Sequence, residues 1–285
     1  PWPRNRAFVT TEYFRQVGDT TAITQETLGF ERVFNQNRSS FGMRLPFYTV
    51  DPGVLSNPLV PNQPVGTFGL GTSTRGNLGD LTLIYKRAVI FDPPNGNVLS
   101  VGAAVVAPTG PATLASVTPA YTVNGVYHWG AIQPYMAFYR SIGQAFNGLF
   151  LQGFSSIDRP FSAHDATFWY NDFGIGYYYR RDVPRGLTGV VPNFEVHVNT
   201  PLGGRTQTIT ATPDLAALSG FTSVMGQIQY YNQVNLTSGI TFIFNRRTTL
   251  ALAAVAPVAT PHPFNVEFLA QLNVLRVPWL PAPPP

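Results

Sequence analysis

The sequence predicts an all-β protein: a single antiparallel up-and-down transmembrane β-barrel of about 12 strands, with short periplasmic turns and longer extracellular loops. Three observations predict it: low charge, segments that alternate apolar and polar residues, and short turns that alternate with long connections. Charged residues make up 11% of the 285 residues, under half of the roughly 25% carried by soluble domains. Hydrophobic residues make up 44% and aromatic residues 13%, a composition that suits an outer-membrane barrel with its apolar outer band and aromatic girdles.

Composition also excludes several classes of protein. Cysteine is absent, so disulfides and thiolate metal sites are excluded. No run of about 18 apolar residues is available for a membrane-spanning helix. Every basic residue except Lys86 is arginine, and no basic run exceeds two residues, so a nucleic-acid partner is not expected. The histidines lack the spacing of a zinc motif, and we expect neither metal nor cofactor.

Strict alternation marks the segment 264–275, FNVEFLAQLNVL. Its even positions are all apolar, whereas its odd positions include Asn265, Glu267, Gln271 and Asn273. A soluble sandwich would turn the apolar face inward, whereas a membrane barrel turns it toward lipid and the polar face toward a wet lumen. The polar faces of this chain carry mainly amides and hydroxyls rather than the charges of a soluble surface, which favours the barrel.

The length of the predicted strand 168–181 supports the same prediction. Trp169 and Tyr179 are ten residues apart, about 33 Å along a strand at about 3.3 Å per residue. At a tilt of about 40° this spans roughly 25 Å of the membrane normal, the height of the apolar band between two aromatic girdles. We therefore predict a lipid girdle of Trp169, Tyr177 and Tyr179, with Asn171 as the polar interruption on that face.

Residues typical of turns divide the chain into predicted strands. Short turns are predicted at 36–39, 92–97, 142–147, 181–186 and 245–247, and longer connections at 51–77, 108–130, 158–167 and 201–223, with a short helix at 211–220. Asn95-Gly96 is the strongest hairpin signal because both residues tolerate positive φ. We predict that 1–25 forms the first strand, near 7–17, or a lumen plug, that 26–276 forms the barrel, and that 277–285 is a Pro-rich tail.

The polar faces of the predicted strands supply the candidate lumen-lining residues. These residues are Asp172, Arg180, Asn193, Glu195, His197, Gln227, Gln229, Gln233, Glu267 and Gln271. They are expected either to form a charged constriction that selects solutes or to form an internal salt-bridge network that stiffens the wall. Both interpretations suit a twelve-strand barrel, which lies between filled eight-strand barrels and open sixteen-strand porins.

Several stretches resemble one family of bacterial outer-membrane barrels. The residues that carry the resemblance are GDLTLIYKRAVI, NVLSVGAAVVAPTGP, PYMAFYRSIG with LFLQGFSS, and VAPVATPHPFNVEFLAQLNVL. Over about 78–275 the chain resembles the meta-pathway phenol-degradation family, in particular its planctomycete members. The resemblance implies an outer-membrane channel or transporter linked to the uptake of aromatic or other hydrophobic compounds. The tail RVPWLPAPPP departs from the terminal aromatic with which such barrels usually end.

We therefore expect a non-enzymatic, porin-like transporter of small solutes in the bacterial outer membrane, read as a mature chain whose signal peptide has been removed. Its expected partners are outer-membrane lipid, a small solute, and a homo-oligomer or an envelope complex. A second hypothesis is a structural barrel that anchors or scaffolds an envelope complex. A third is a lipid hydrolase at the barrel rim that uses Ser162, His164 and Asp165, although residues this close in sequence rarely face each other as nucleophile and base.

Overall fold

Alternating side-chain polarity gives sixteen β-strands in the computed structural model, which describes residues 1–15, 22–51, 75–110, 130–142, 148–161, 166–180, 183, 185–202, 206–210, 225–229, 231–260 and 264–275. For 50–51, 75–77, 180, 206–210 and 225–229 only the backbone is described. The strands are β1 (Arg6–Arg15), β2 (Ala22–Phe34), β3 (Ser39–Asp51), β4 (Arg75–Leu78), β5 (Leu81–Asp92), β6 (Asn97–Ala107), β7 (Ala131–Ser141), β8 (Leu149–Pro160), β9 (Thr167–Tyr177), β10 (Tyr179–Arg180), β11 (Leu187–Leu202), β12 (Thr206–Thr210), β13 (Met225–Gln229), β14 (Gln233–Phe244), β15 (Thr248–Pro257) and β16 (Val266–Leu275).

Twelve of these strands close into one antiparallel barrel. The ring runs β1-β2-β3-β5-β6-β7-β8-β9-β11-β14-β15-β16 and closes where β16 pairs with β1, with Arg6 opposite Leu275. The short strands β4 and β10 pair with the ends of β3 and β11, and β12 pairs with β13 in a separate two-stranded sheet. The predicted fold class and strand number are confirmed, and β1 is the first strand of the wall.

The apolar side chains face outward. On β9 and β16, Phe173 is 58% exposed and Phe268 is 53% exposed. On the inner face, by contrast, Thr10 is 5% exposed and Asn273 is 7% exposed. This arrangement reverses that of a soluble sandwich, and it is the orientation predicted for 168–181 and 264–275.

Asn171, the polar interruption on the outer face, is hydrogen-bonded. The Ser155 hydroxyl lies 2.9 Å from Asn171 Oδ1 and accepts a hydrogen bond from Trp169 Nε1 at 3.0 Å. Asn171 and Ser155 are direct cross-strand partners on β9 and β8. The polar groups therefore satisfy one another, which lowers the cost of placing them on an apolar surface.

The predicted short turns at 36–39, 92–97 and 245–247 lie where β2–β3, β5–β6 and β14–β15 connect, at one end of the barrel. Those predicted at 142–147 and 181–186 lie mostly outside the described residues. The turn between β2 and β3 contains three successive residues with positive φ, Asn35, Gln36 and Asn37. In the turn 93–96 only Gly96 has positive φ, at 68°, and its N–H donates to the Pro93 carbonyl at 3.1 Å. The hairpin predicted at Asn95-Gly96 is present between β5 and β6, and of these two residues Gly96 adopts the left-handed conformation.

Alternation alone did not assign every strand. The segment 227–242 reads as one strand but is divided between β13, in the separate hairpin, and β14, in the barrel wall. Both strands have the same period of two, so the sequence pattern is identical in either sheet. No helix in the described part of the chain is long and apolar enough to cross a membrane. The predicted helix at 211–220 and the tail at 277–285 lie outside the described residues.

The outward orientation of Phe173 is testable by charge insertion. Phe173→Arg is expected to lower the free energy of unfolding by about 2–4 kcal/mol, because it places a guanidinium on the lipid face near mid-strand. Unfolding in urea from phospholipid vesicles, followed by tryptophan fluorescence, measures the change. The matched control Thr241→Arg adds the same group to the inner face and is expected to cost far less. Equal losses for the two variants would contradict the orientation.

Candidate functional site in the barrel lumen

The first five residues of the chain lie inside the barrel. The ring of Trp2 packs edge to face against Phe91 at 5.6 Å and Tyr139 at 6.3 Å between centroids. Ser100, which is fully buried on the inner face, donates a hydrogen bond to the Pro1 carbonyl at 2.8 Å. Residues 1–5 therefore lie in the lumen and 6–15 form β1 of the wall, while residues 16–21 of the predicted segment 1–25 lie outside the described residues.

The buried carboxylate of Glu31, on β2, forms ion pairs with two cationic side chains. Arg6 Nε lies 2.9 Å from Oε2, and Lys86 Nζ lies 3.0 Å from Oε1. The Ser40 hydroxyl donates to Oε1 at 2.6 Å, and the Arg4 backbone N–H reaches the same oxygen at 3.3 Å. The carboxylate thus ties β1, β2, β3 and β5 together near the short-turn end, and it anchors the segment in the lumen to the wall.

Cations outnumber acids in this part of the lumen. A cavity of about 210 Å³ is lined by Arg6, Arg44 and Lys86 but by a single carboxylate, Glu31. Arg6 and Arg44 also lie over the Phe8 ring, at 4.9 and 5.9 Å from its centroid, where the aromatic face attracts positive charge. Sequence reasoning missed this basic cluster. The sequence feature that could have indicated it is that Lys86, the single lysine of the chain, occupies an inward-facing position of its strand.

A second polar network is centred on His197 of β11. Its Nδ1 lies 2.8 Å from Asp172 Oδ1, and its Nε2 lies 2.8 Å from Thr237 Oγ1. Glu195 Oε2 lies 4.0 Å from the same Nε2. The three strands β9, β11 and β14 are neighbours in the wall, so the imidazole is held on one side by its direct cross-strand partner Asp172 and on the other by Thr237, which lies diagonally across β14.

Gly174 makes room for the side chain of Glu195. A Cβ at Gly174 would lie 2.8 Å from Glu195 Cγ and 3.1 Å from Gln152 Cγ. Without that atom, the Glu195 carboxylate accepts hydrogen bonds from Gln152 at 2.9 Å and Asn193 at 2.7 Å. The glycine therefore positions an acid on the inner face of the neighbouring strand.

The other candidate residues lie in three places. Glu267, Gln271 and Gln233 lie on barrel strands, and Gln271 donates to the Thr10 hydroxyl at 2.8 Å across the β16–β1 seam. Gln227 and Gln229 lie on β13, in the separate two-stranded sheet rather than in the barrel wall. Arg180 lies on β10, and the structure describes only the backbone of these last three residues.

The lumen also has a region that is lined mainly by acids. A cavity of about 510 Å³ is lined by the acids Asp172, Glu195 and Glu267 together with His197. A smaller cavity of about 160 Å³ is lined by Asp172, Glu195 and Pro1, and Pro1 also lines the basic cavity. The chain's first residues therefore stand between an acidic region and a basic region. In the described part of the chain, no group of three or more His, Asp or Glu side chains is arranged to hold a metal ion.

The predicted girdle residues lie toward the two ends of one stretch of wall. Trp169 is exposed near the start of β9, and Tyr179 is exposed on β10, beyond its end. Tyr177 is half-buried and its ring centroid is 4.4 Å from that of Tyr179. The aromatic rings therefore bracket the exposed apolar residues Phe173 and Ile175.

Comparison with known proteins supports the fold. No family model matches the chain, and no curated protein matches its sequence. Among solved structures, an outer membrane channel from Pseudomonas putida F1 matches with a TM-score of 0.59 at 12% identity, covering 96% of each chain. The β-domain of the Bordetella autotransporter BrkA matches with a TM-score of 0.55 at 11% identity, covering 95% of this chain and 99% of that one. The NanC porin matches with a TM-score of 0.51 at 8% identity, covering 95% and 100%.

These likenesses define a class of fold. The chain has the fold of bacterial outer-membrane β-barrels, a class that includes channels and porins as well as an autotransporter domain. At 8–12% identity the likeness concerns the fold alone. The predicted phenol-degradation family and its planctomycete type remain predictions from the resemblance.

The ion pairs of Glu31 are expected to stabilise the wall. Glu31→Gln should lower the free energy of unfolding by about 3 kcal/mol, because it leaves Arg6 and Lys86 in the lumen without their counter-charge. Urea titration of the protein in vesicles measures the loss. In a Lys86→Met background the same substitution should cost at least about 1 kcal/mol less, because one of the unpaired cations is gone. A cost that is identical in the two backgrounds would show that the pair is not coupled.

Proposed function

We propose that the protein is an outer-membrane channel that passes small solutes. The observation that carries this proposal is the closed twelve-strand wall with apolar side chains outside and polar, charged side chains around internal cavities. A wall of this kind satisfies its backbone hydrogen bonds in lipid while keeping a wet interior. The solved channel and porin structures with the same fold support the proposal.

The outer face supports a location in the outer membrane, with lipid as the first partner. Exposed Phe, Leu, Ile and Val side chains cover the strands, and aromatic residues bracket them along β9. Exposed apolar surface on this scale has to be covered by lipid or by protein. Acyl chains suit a barrel whose backbone edges are all paired. We infer the short-turn end to be periplasmic, as is general for such barrels.

The proposal also covers the chemical class of the solute. The resemblance to the phenol-degradation family implies aromatic or other hydrophobic compounds. The inner wall combines aromatic rings such as Phe8, Tyr135 and Phe154 with fixed charges, so aromatic compounds that carry a polar or charged group suit it best. The alternative, in which the inner charges only stiffen the wall, predicts that Glu31→Gln lowers stability without altering conduction.

Neither rival hypothesis gains a specific observation from the described structure. The scaffold hypothesis depends on the tail 277–285, and the hydrolase hypothesis depends on Ser162, His164 and Asp165; all of these lie outside the described residues. The channel is therefore the function that the geometry supports best.

Conduction tests the proposal. The purified protein, inserted into planar lipid bilayers, is expected to show discrete single-channel currents in potassium chloride. Trp2→Gly should raise the conductance severalfold, because the indole packs against Phe91 and Tyr139 within the lumen. Trp169→Phe removes the outer-face indole N–H and is expected to leave conductance unchanged. Folded barrels that remain silent in both the parent and Trp2→Gly would overturn the channel proposal.

A further inference from the structure

We propose that the cavity lined by Asp172, Glu195 and Glu267 is a binding site for an organic cation, a protonated amine carried on a small apolar body. This inference deepens the proposed function by naming a class of solute. It requires only that solutes reach the lumen.

The cavity has the size of a small-molecule site. Its volume is about 510 Å³, within the range of roughly 300–1,000 Å³ that ligand pockets occupy. It is bounded by inner-face residues of β8, β9, β11, β14, β15 and β16. A surface formed by six rigid wall strands is preorganised, which lowers the entropic cost of binding.

The charge of the cavity selects for a cation. Asp172, Glu195 and Glu267 present three carboxylates, against which the described lining residues supply the imidazole of His197 and no lysine or arginine. Asp172 is held by His197, and one oxygen of Glu195 is held by Gln152 and Asn193. The acids are therefore fixed in place while the balance of charge stays negative. An ammonium group supplies the missing positive charge and three N–H donors.

Asn235 gives an independent indication that a donor is missing. This residue lines the same cavity on β14 and is 9% exposed. Its amide oxygen is buried and has no hydrogen-bond partner among the residues that the structure describes. A buried acceptor without a partner costs about 1–3 kcal/mol, so such atoms call for an explanation. Rotation of the terminal amide toward an N–H donor in the cavity would satisfy the oxygen.

Part of the cavity wall beside Glu267 suits an apolar body. The inner face of β15 presents Ala251, Ala253 and Val255, and Leu269 continues this surface on β16. Their small side chains leave room for a ring or a short alkyl group beside the carboxylates. A hydrated inorganic cation gains nothing from such a wall, whereas an arylalkyl ammonium ion buries its ring there.

Benzylammonium is a suitable probe because it is cationic at pH 7 and has two uncharged or anionic counterparts of similar shape, benzyl alcohol and benzoate. Isothermal titration calorimetry on the full chain in detergent micelles is expected to show that benzylammonium binds at least tenfold more tightly than either. Because binding is measured in micelles, the result does not depend on conduction. Failure of this site and failure of the channel are therefore distinguishable.

Matched variants locate the site. Glu267→Gln and Glu195→Gln are each expected to weaken benzylammonium binding about tenfold, since each removes one charge-assisted contact. Asn235→Leu should weaken it severalfold without a change in charge. Glu26→Gln makes the same charge change on the exposed face of β2 and should leave binding unaltered. Heat-modifiable migration in gel electrophoresis verifies that each variant is folded.

Two results would overturn the proposal. One is a folded parent protein that binds benzylammonium no better than benzyl alcohol. The other is equal benzylammonium affinity in the parent and in all folded variants of the cavity. If one acidic variant fails to fold, the other acidic variant and Asn235→Leu still decide the outcome.

Discussion

Closure of the backbone hydrogen-bond ladder is the constraint on which the rest of the structure depends. A strand edge exposed to hydrocarbon would leave a row of unpaired N–H and C=O groups, each costing several kcal/mol. The pairing of β16 with β1 removes the last such edge. Once the sheet is closed, each strand has one face toward the surroundings and one toward the enclosed space, and the period of two in the sequence assigns side chains to the two faces.

The inner face uses this constraint to hold charges at fixed positions. Cross-strand neighbours are brought to within hydrogen-bond distance by the register alone, as His197 and Asp172 are. Long-range partners such as Arg6, Glu31 and Lys86 meet because β1, β2, β3 and β5 follow one another around the ring. The separation of a basic region from an acidic region is therefore a property of strand order as much as of composition.

Much of the fold was predictable from local pattern, whereas the placement of charges was not. The signals for strands and turns are local, since each lies within a few residues; examples are the alternation in 264–275 and the turn residues at 35–37 and 96. Sequence alone therefore predicts the strands, their faces and the short turns. Glu31 and Lys86 are 55 residues apart, and no local signal shows that they meet. The assignment of Gln227 and Gln229 to a separate hairpin depends on pairing partners, which periodicity does not report. The interior position of residues 1–5 depends on the shape of the finished ring.

The seam between β1 and β16 has a consequence for biosynthesis. Its partners are the most distant in the chain, and Arg6 bonds Asn273 across 267 positions while Thr10 bonds Gln271 across 261. A nascent chain that lacks β16 must carry two open edges, each able to recruit a foreign strand. These side-chain hydrogen bonds form only in the correct register when the barrel closes, because a slip of one residue would turn Gln271 and Asn273 to the opposite face of the sheet. The strand β16 is thus the one whose pairing closes the wall and fixes its register.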